Sequence, residues 1–235
     1  LFDFIEKTTD YSDKNALKKL TDIKKAQLSN IKAHLYKQLL TSLRLQHANH
    51  IPTITIRESI DHAVILYHKG FYKQALKALE KSKQLAVKFQ SSMLQLEIVE
   101  FEKLIETQYI TRSRSTRADE LTSESKNVEK HIHQSVAFSN LSLQLYALYV
   151  KGGFVRDEKD FHYVRDFFKS NLPVYRIQDL GFIEKMHLYN AYMWYYYITQ
   201  EFLMCFKYAK LWVDLFDLYP NVKYQYSEMY LKGLN

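Results

Sequence analysis

The chain has 235 residues, of which 47% are hydrophobic and 25% are charged, and this composition fits a globular protein with a buried core. The formal net charge is +7, a mild excess that solvated helix faces explain at least as well as an anionic partner does. The single cysteine, Cys205, excludes an intrachain disulfide and a zinc site built from several cysteines.

Glycine and proline are scarce, with five and three copies. Sheet proteins use both residues in turns, so their scarcity favours long helices joined by short loops. The longest apolar run, 191–198, is far shorter than the roughly 20 residues that span a bilayer, and we predict no membrane span. Because the chain begins at Leu1 rather than Met, we allow for a preceding segment and infer nothing about targeting.

Apolar residues at helical spacing predict most of the N-terminal half as helices. Residues 14–45 form one long helix or two abutting helices, and the break at 47–53 contains Pro52. Thr55 and Glu58 match a capping box that begins a helix ending near His68. Gly70 is placed to stop that helix, a second helix runs to about Phe89, and another begins at Ser91–Ser92.

The segment 111–127 is polar and rich in Ser and Thr, and we predict a loop or linker there. It divides an N-terminal helical region, 1–110, from a C-terminal one, 128–235, within what we expect to be one continuous stack of helices. The C-terminal region is predicted to hold helices over 128–151, 157–169, 182–199 and 201–219, and a short helix after Pro220. We therefore expect an all-α fold of antiparallel helix pairs.

One helix pair carries a recognisable pattern of small and large residues around its turn. Residues 67–85 read YHKGFYKQALKALEKSKQL, in which the pattern positions are Gly70, Tyr72, Ala75, Leu79, Ser82 and Leu85, with Ala63 on the preceding helix. This pattern resembles the tetratricopeptide repeat over about 56–89. A degenerate second copy places Phe202, Cys205, Ala209 and Leu215 at similar positions.

The resemblance implies a right-handed α-solenoid of three to five helix pairs whose face binds partner peptides or protein segments. Small residues let the paired helices approach closely, which is the packing that such repeats require. The leading functional prediction is accordingly a non-catalytic scaffold or adaptor without a cofactor.

Aromatic residues are dense on the predicted helix 182–199. Tyr189, Tyr192, Met193 and Tyr196 follow a helical stripe and are predicted to face the core, while Trp194 and Tyr195 fall on other faces. Because aromatic residues dominate interface hot spots, we take Tyr192, Trp194, Tyr195 and Tyr196 as candidates for a partner-binding groove. Core packing alone is the favoured interpretation of these rings, and a groove in addition to core packing is the alternative.

Lysines recur every four residues on the second helix of the repeat, at Lys73, Lys77 and Lys81, and Lys83 adds to the charge. This stripe could help to hold an acidic partner. The alternative function is a regulator that acts with nucleic acid, through the basic N-terminal half or through a DNA-binding domain upstream of Leu1.

No local motif of catalysis or metal binding is present, and we predict no catalytic, cofactor or metal site. Glu184 and His187 form a single Glu-x-x-His element, whereas di-iron bundles need two such elements with two further Glu. A helical enzyme assembled from distant acids leaves no local signature, and it stays open as a second alternative.

Overall fold

The computed structural model of the chain describes residues 1–20, 24–48, 50–108 and 115–234, and every regular element in them is helical. The all-α prediction is confirmed. The described residues contain the following helices: α1 Phe2–Glu6, α2 Asp13–Lys19, α3 Lys25–His47, α4 Pro52–His68, α5 Tyr72–Lys88, α6 Ser92–Gln108, α7 Ser115–Gly152, α8 Glu158–Asn171, α9 Phe182–Ile198, α10 Phe202–Leu218 and α11 Ser227–Leu234.

The chain separates into two compact units, Leu1–Thr55 and Ile56–Asn235, whereas the sequence analysis placed its division at 111–127. The smaller unit holds α1 to α3. Its predicted helix 14–45 is the abutting pair α2 and α3, and Lys32 of α3 donates to Asp13 of α2 at 2.9 Å.

Helix α4 begins earlier than predicted. Proline is tolerated in the first turn of a helix, where its missing N–H has no intrahelical acceptor, so α4 begins at Pro52 itself. Thr55 then lies inside the helix, and its hydroxyl donates to the carbonyl of Ala48 at 2.5 Å. The predicted capping box of Thr55 and Glu58 is therefore wrong.

The larger unit opens with three helices that share one core. Ala63 of α4 and Ala75 and Leu79 of α5 are fully buried together, with Ile98 of α6 beside them. Gly70 lies between α4 and α5 at φ +79°, a conformation that favours glycine, and it ends α4 as predicted.

Residues 115–127 are helical, so the prediction of a loop is wrong for them. They form the first third of α7, and Leu121, Ser125 and Val128 are buried at helical spacing. Residues 111–114, with Arg112 and Arg114, lie outside the described residues. The sequence does not show this helix because its polar side chains find their partners on α6 rather than nearby in the chain. Ser125, for example, donates a hydrogen bond to Glu100 at 3.1 Å.

The second half of α7 packs against α9, and α9 packs against α10. One core joins α7, α8 and α9 around Leu145, Phe168 and Ala191. Another joins α9 and α10 around Phe182 and Phe216. Among the described residues, no helix is both long enough and apolar enough to cross a bilayer.

Candidate interaction site on the C-terminal helices

Helix α9 carries rings on every face, and its position between neighbours decides which of them are buried. The buried stripe is Leu188, Ala191, Tyr195 and Ile198. The predicted stripe of Tyr189, Tyr192, Met193 and Tyr196 also packs against the cores, but its residues are only half-buried. Because α9 carries rings on all of its faces, its sequence shows no contrast between an apolar and a polar face from which the buried face could be predicted.

Tyr195 belongs to the core rather than to an open groove. It is 9% exposed and stacks on Phe168 of α8, with ring centroids 4.4 Å apart. Burial raises the pKa of its hydroxyl. Tyr195 therefore holds α8 against α9.

Tyr192 and Tyr196 form a stack with Tyr208 of α10. The centroids of Tyr192 and Tyr208 lie 4.4 Å apart with nearly parallel rings, and those of Tyr196 and Tyr208 lie 5.6 Å apart. The hydroxyls of Tyr192 and Tyr175 are hydrogen-bonded at 2.9 Å. Burial raises the pKa of Tyr208 to about 12 and also raises that of Tyr192. Tyr192 and Tyr208 stay neutral, and their stack joins α9 to α10.

Trp194 lies on a different side of α9, towards α7. Its ring is 5.1 Å from that of Tyr146 and 5.7 Å from that of Tyr149, and it is half-buried. Of the four predicted groove residues, Trp194 borders an open cavity, and the other three do not line that cavity.

This cavity has a volume of about 470 Å³ and lies among α7, α9, α10 and α11. Its volume falls in the range of known ligand sites. Both tryptophans of the chain line it, Trp194 from α9 and Trp212 from α10. The other lining residues are Ser139, Ser142, Leu143, Tyr146, Met186, His187, Asn190, Met229 and Lys232. We call it the tryptophan cavity.

The polar groups of the tryptophan cavity are neutral except for one rim cation. Burial lowers the pKa of His187, and the nearby Lys232 lowers it further, so the imidazole is uncharged at neutral pH. Asn190 donates through Nδ2 to the hydroxyl of Ser142 at 2.6 Å. Lys232 lies over the Trp212 ring, 5.8 Å from its centroid.

Two residues that line the cavity each carry a fully buried polar atom without a hydrogen-bond partner in the described residues: Asn190 Oδ1 and Trp212 Nε1. Trp212 is 1% exposed. No pattern in the sequence marked Trp212, Asn190 or Lys232, and His187 stood out only as part of a metal motif. The usable signal was that the chain has only two tryptophans, both on C-terminal helices.

The lysine stripe lies elsewhere, on α5. Lys73, Lys77 and Lys81 are all exposed, as a solvated helix face requires. Lys83 is wrongly included with them, because it is buried and its ammonium donates to Glu102 at 2.8 Å and to Glu124 at 3.1 Å. The stripe therefore consists of three lysines, and it is not part of the tryptophan cavity.

The Glu-x-x-His element does not form a metal centre with other ligands. Glu184 is buried and pairs with Nδ1 of His131 from α7 at 2.5 Å, while His187 faces the tryptophan cavity. No group of three or more His, Cys, Asp or Glu in the described ranges is arranged to hold a metal ion.

Comparison of the chain with family models, with curated proteins and with solved structures finds no match.

Proposed function

We propose that the chain is a non-catalytic interaction module that binds a peptide or protein segment at the tryptophan cavity. The observation that carries this proposal is the placement of the two tryptophans. Tyr192 and Tyr195 of α9 are engaged in stacks inside the protein, whereas Trp194 is half-buried and borders an open cavity that the buried Trp212 also lines. Tryptophan is enriched among the residues that carry most of the binding energy at protein interfaces.

A stack of tetratricopeptide-like helix pairs is the architecture we propose around this cavity. Five helices of the larger unit, α4, α5, α6, α9 and α10, each have 17 residues. Ala63, Ala75, Leu79 and Ser82 are fully buried, as the resemblance requires of its close-packing positions. Stacked helix pairs present extended faces that bind segments of other proteins, which supports the same function.

The test is a selection of binding peptides. A display library of random 12-residue peptides is panned on the immobilised full chain, and the dissociation constants of enriched peptides are measured for the wild type and Trp194→Ala. We expect Trp194→Ala to weaken binding at least about tenfold, because a hot-spot ring is lost.

The matched control is Tyr163→Ala, which removes an exposed ring from α8, away from the tryptophan cavity. It is expected to leave the dissociation constant unchanged. The proposal is contradicted if no peptide is enriched, or if Trp194→Ala and Tyr163→Ala lose the same amount of affinity for the selected peptides.

A second candidate, binding of nucleic acid, is favoured by one observation: Lys73, Lys77 and Lys81 share a face, and none of them is ion-paired within the described part of the chain. Anisotropy of a labelled 20-nucleotide single strand with the intact chain tests it. Phosphate binding predicts an affinity that falls steeply with salt, and the triple Lys→Gln variant should flatten that slope by about two. No binding at low salt eliminates this candidate.

A further inference from the structure

We infer that the tryptophan cavity binds an acidic peptide segment, in which a Glu or Asp carboxylate pairs with the ammonium of Lys232 and a large apolar side chain packs against Tyr146 and Trp194. This inference rests on the proposed function and names the chemistry by which the bound segment is recognised. The chemistry follows from where the charge and the rings of the cavity lie.

The two ends of the tryptophan cavity differ in chemistry and lie about two turns of α9 apart. At one end, the ammonium of Lys232 lies over the Trp212 ring, and it is close enough to His187 to lower the pKa of the imidazole. At the other end, Trp194 contacts Tyr146 of α7. Trp194 follows His187 by seven residues, which is about 10 Å along a helix. A ligand that uses both ends therefore carries two recognised groups about 10 Å apart.

Lys232 is the one charged side chain among the cavity-lining residues of the described chain. Its ammonium forms no ion pair within the described ranges, and Glu228, one turn earlier on α11, is not paired with it. The facing part of α7, residues 134–150, contains no charged residue that could compete for it. An unpaired cation beside an apolar wall attracts a carboxylate, and the net charge of +7 favours an acidic partner at longer range.

The other end of the cavity suits an apolar side chain. Leu143 is 65% exposed and Tyr146 is 46% exposed, and Trp194 is half-buried beside them. The ring centroids of Tyr146 and Trp194 are 5.1 Å apart, so the two rings offer a continuous apolar surface. A Leu or Phe side chain that packs there removes this surface and its own from water. The segment is therefore recognised by an acid at one end and by a large apolar residue at the other.

The charge of Lys232 decides against two other ligands that aromatic rings can hold. Tryptophan and tyrosine rings bind quaternary ammonium groups, but Lys232 already lies over Trp212 and repels a second cation. Single-stranded nucleic acid also stacks on rings, but its phosphates need several cations, whereas the cavity supplies one. A single carboxylate matches a single ammonium.

The experiment titrates the ¹⁵N-labelled full chain with peptides and follows its indole N–H signals. Two tryptophans, both lining the cavity, give two signals, and Trp194→Phe assigns them. The probes are N-acetyl-Glu-Gly-Gly-Phe amide, the reversed N-acetyl-Phe-Gly-Gly-Glu amide, and the same two peptides with Gln in place of Glu. Three residues of extended chain span about 10 Å, which matches the distance between the two ends of the cavity.

We expect at least one Glu probe to move both indole signals and to bind about two- to fivefold more tightly than its Gln counterpart, as a solvent-exposed ion pair allows. This advantage should disappear in about 1 M NaCl, where charges are screened within a few ångströms. Equal affinity for the Glu and Gln probes in both orders overturns the inference, and so do indole signals that stay in place at the highest soluble probe concentration. These comparisons use the wild type and depend on no variant.

Variants locate the ion pair. Lys232→Gln should remove the advantage of the Glu probe and leave the affinity for the Gln probe unchanged. Lys210→Gln, an exposed lysine of α10 that does not line the cavity, is the matched control and should keep the advantage. Both lysines are exposed, so neither variant removes a core side chain. A preference for Glu that survives Lys232→Gln overturns the inference.

The same variants separate this inference from the proposed function. Selected peptides that depend on Trp194 but bind Lys232→Gln as tightly as the wild type overturn the inference and leave the interaction module standing. Probe binding as described, with no peptide enriched from the library, removes the interaction module and leaves a cavity for small amphiphilic acids.

Discussion

At the residue scale, His187 connects the tryptophan cavity to pH. Burial and the nearby Lys232 lower its pKa below the ordinary value of about 6.5, so the folded chain resists the proton that the unfolded chain takes up. The unfolded state then binds more protons, and the free energy of unfolding falls as the pH drops below about 6.5.

We expect the wild type to lose more stability between pH 7.5 and 5.5 than His187→Gln does, as measured by urea unfolding. His133→Gln, an exposed histidine on α7, serves as control, and a pH response equal in wild type and His187→Gln contradicts the prediction.

Single residues also show what local sequence can and cannot determine. The buried positions Ala63, Ala75 and Leu79 follow from a small-and-large pattern that any tight helix pair needs. The burial of Tyr195 does not follow, because its neighbours are aromatic too and only the stacking of Phe168 from α8 selects it. Where every face of a helix is apolar, contacts with other helices decide which face is buried.

At the element scale, the turn between α4 and α5 depends on one backbone conformation. Gly70 has φ +79° and nothing within 4 Å of the position of a Cβ, so Gly70→Ala meets strain without a clash. We expect it to lower the free energy of unfolding by about 1 kcal/mol. Gly152 also has open space but no positive φ, and it is the last residue of α7. Gly152→Ala should leave the free energy of unfolding unchanged or raise it. Urea unfolding of both variants tests this, and an equal change in the free energy of unfolding would falsify the prediction that the turn depends on Gly70.

A buried ion-pair network joins α5, α6 and α7. Glu102 is 1% exposed and contacts Lys83 at 2.8 Å and Arg117 at 3.4 Å. Burial raises the pKa of Glu102, and the Lys83 ammonium opposes that rise. Removing Lys83 leaves a buried carboxylate with a weaker partner, so Lys83→Met should destabilise the chain by about 3 kcal/mol.

The control for this network is Lys81→Met, an exposed lysine of the same helix, which should change the free energy of unfolding by less than about 0.5 kcal/mol. Calorimetric or urea unfolding of the two variants measures the difference. Equal stabilities show that the network does not hold the three helices together.

The same network explains why the start of α7 could not be predicted. Residues 115–127 look like a linker because their partners, Glu100, Glu102 and Lys83, lie on other helices. The pairs α4–α5 and α9–α10 were predictable within a few residues, since apolar periodicity and turn residues act locally. Elements that depend on local patterns are visible in the sequence, and elements that depend on distant charges are not.

At the scale of the whole molecule, the tryptophan cavity is a product of assembly. Its lining comes from four helices between Ser139 and Lys232, and no local motif marks it. The sequence singled out Trp194 as a ring suited to an interface, but it could not pair that ring with Trp212. The two tryptophans line one cavity only when α7, α9, α10 and α11 have packed.

Intrinsic fluorescence of the full chain tests the central claim most directly, because both of its tryptophans lie on this cavity. A tyrosine- and tryptophan-free peptide from the selection is labelled for anisotropy and also titrated while the tryptophan emission is recorded. Binding in the cavity predicts a saturable change in emission with the dissociation constant that anisotropy gives. Tight binding by anisotropy with unchanged tryptophan emission would contradict the account, because the partner would then occupy another surface.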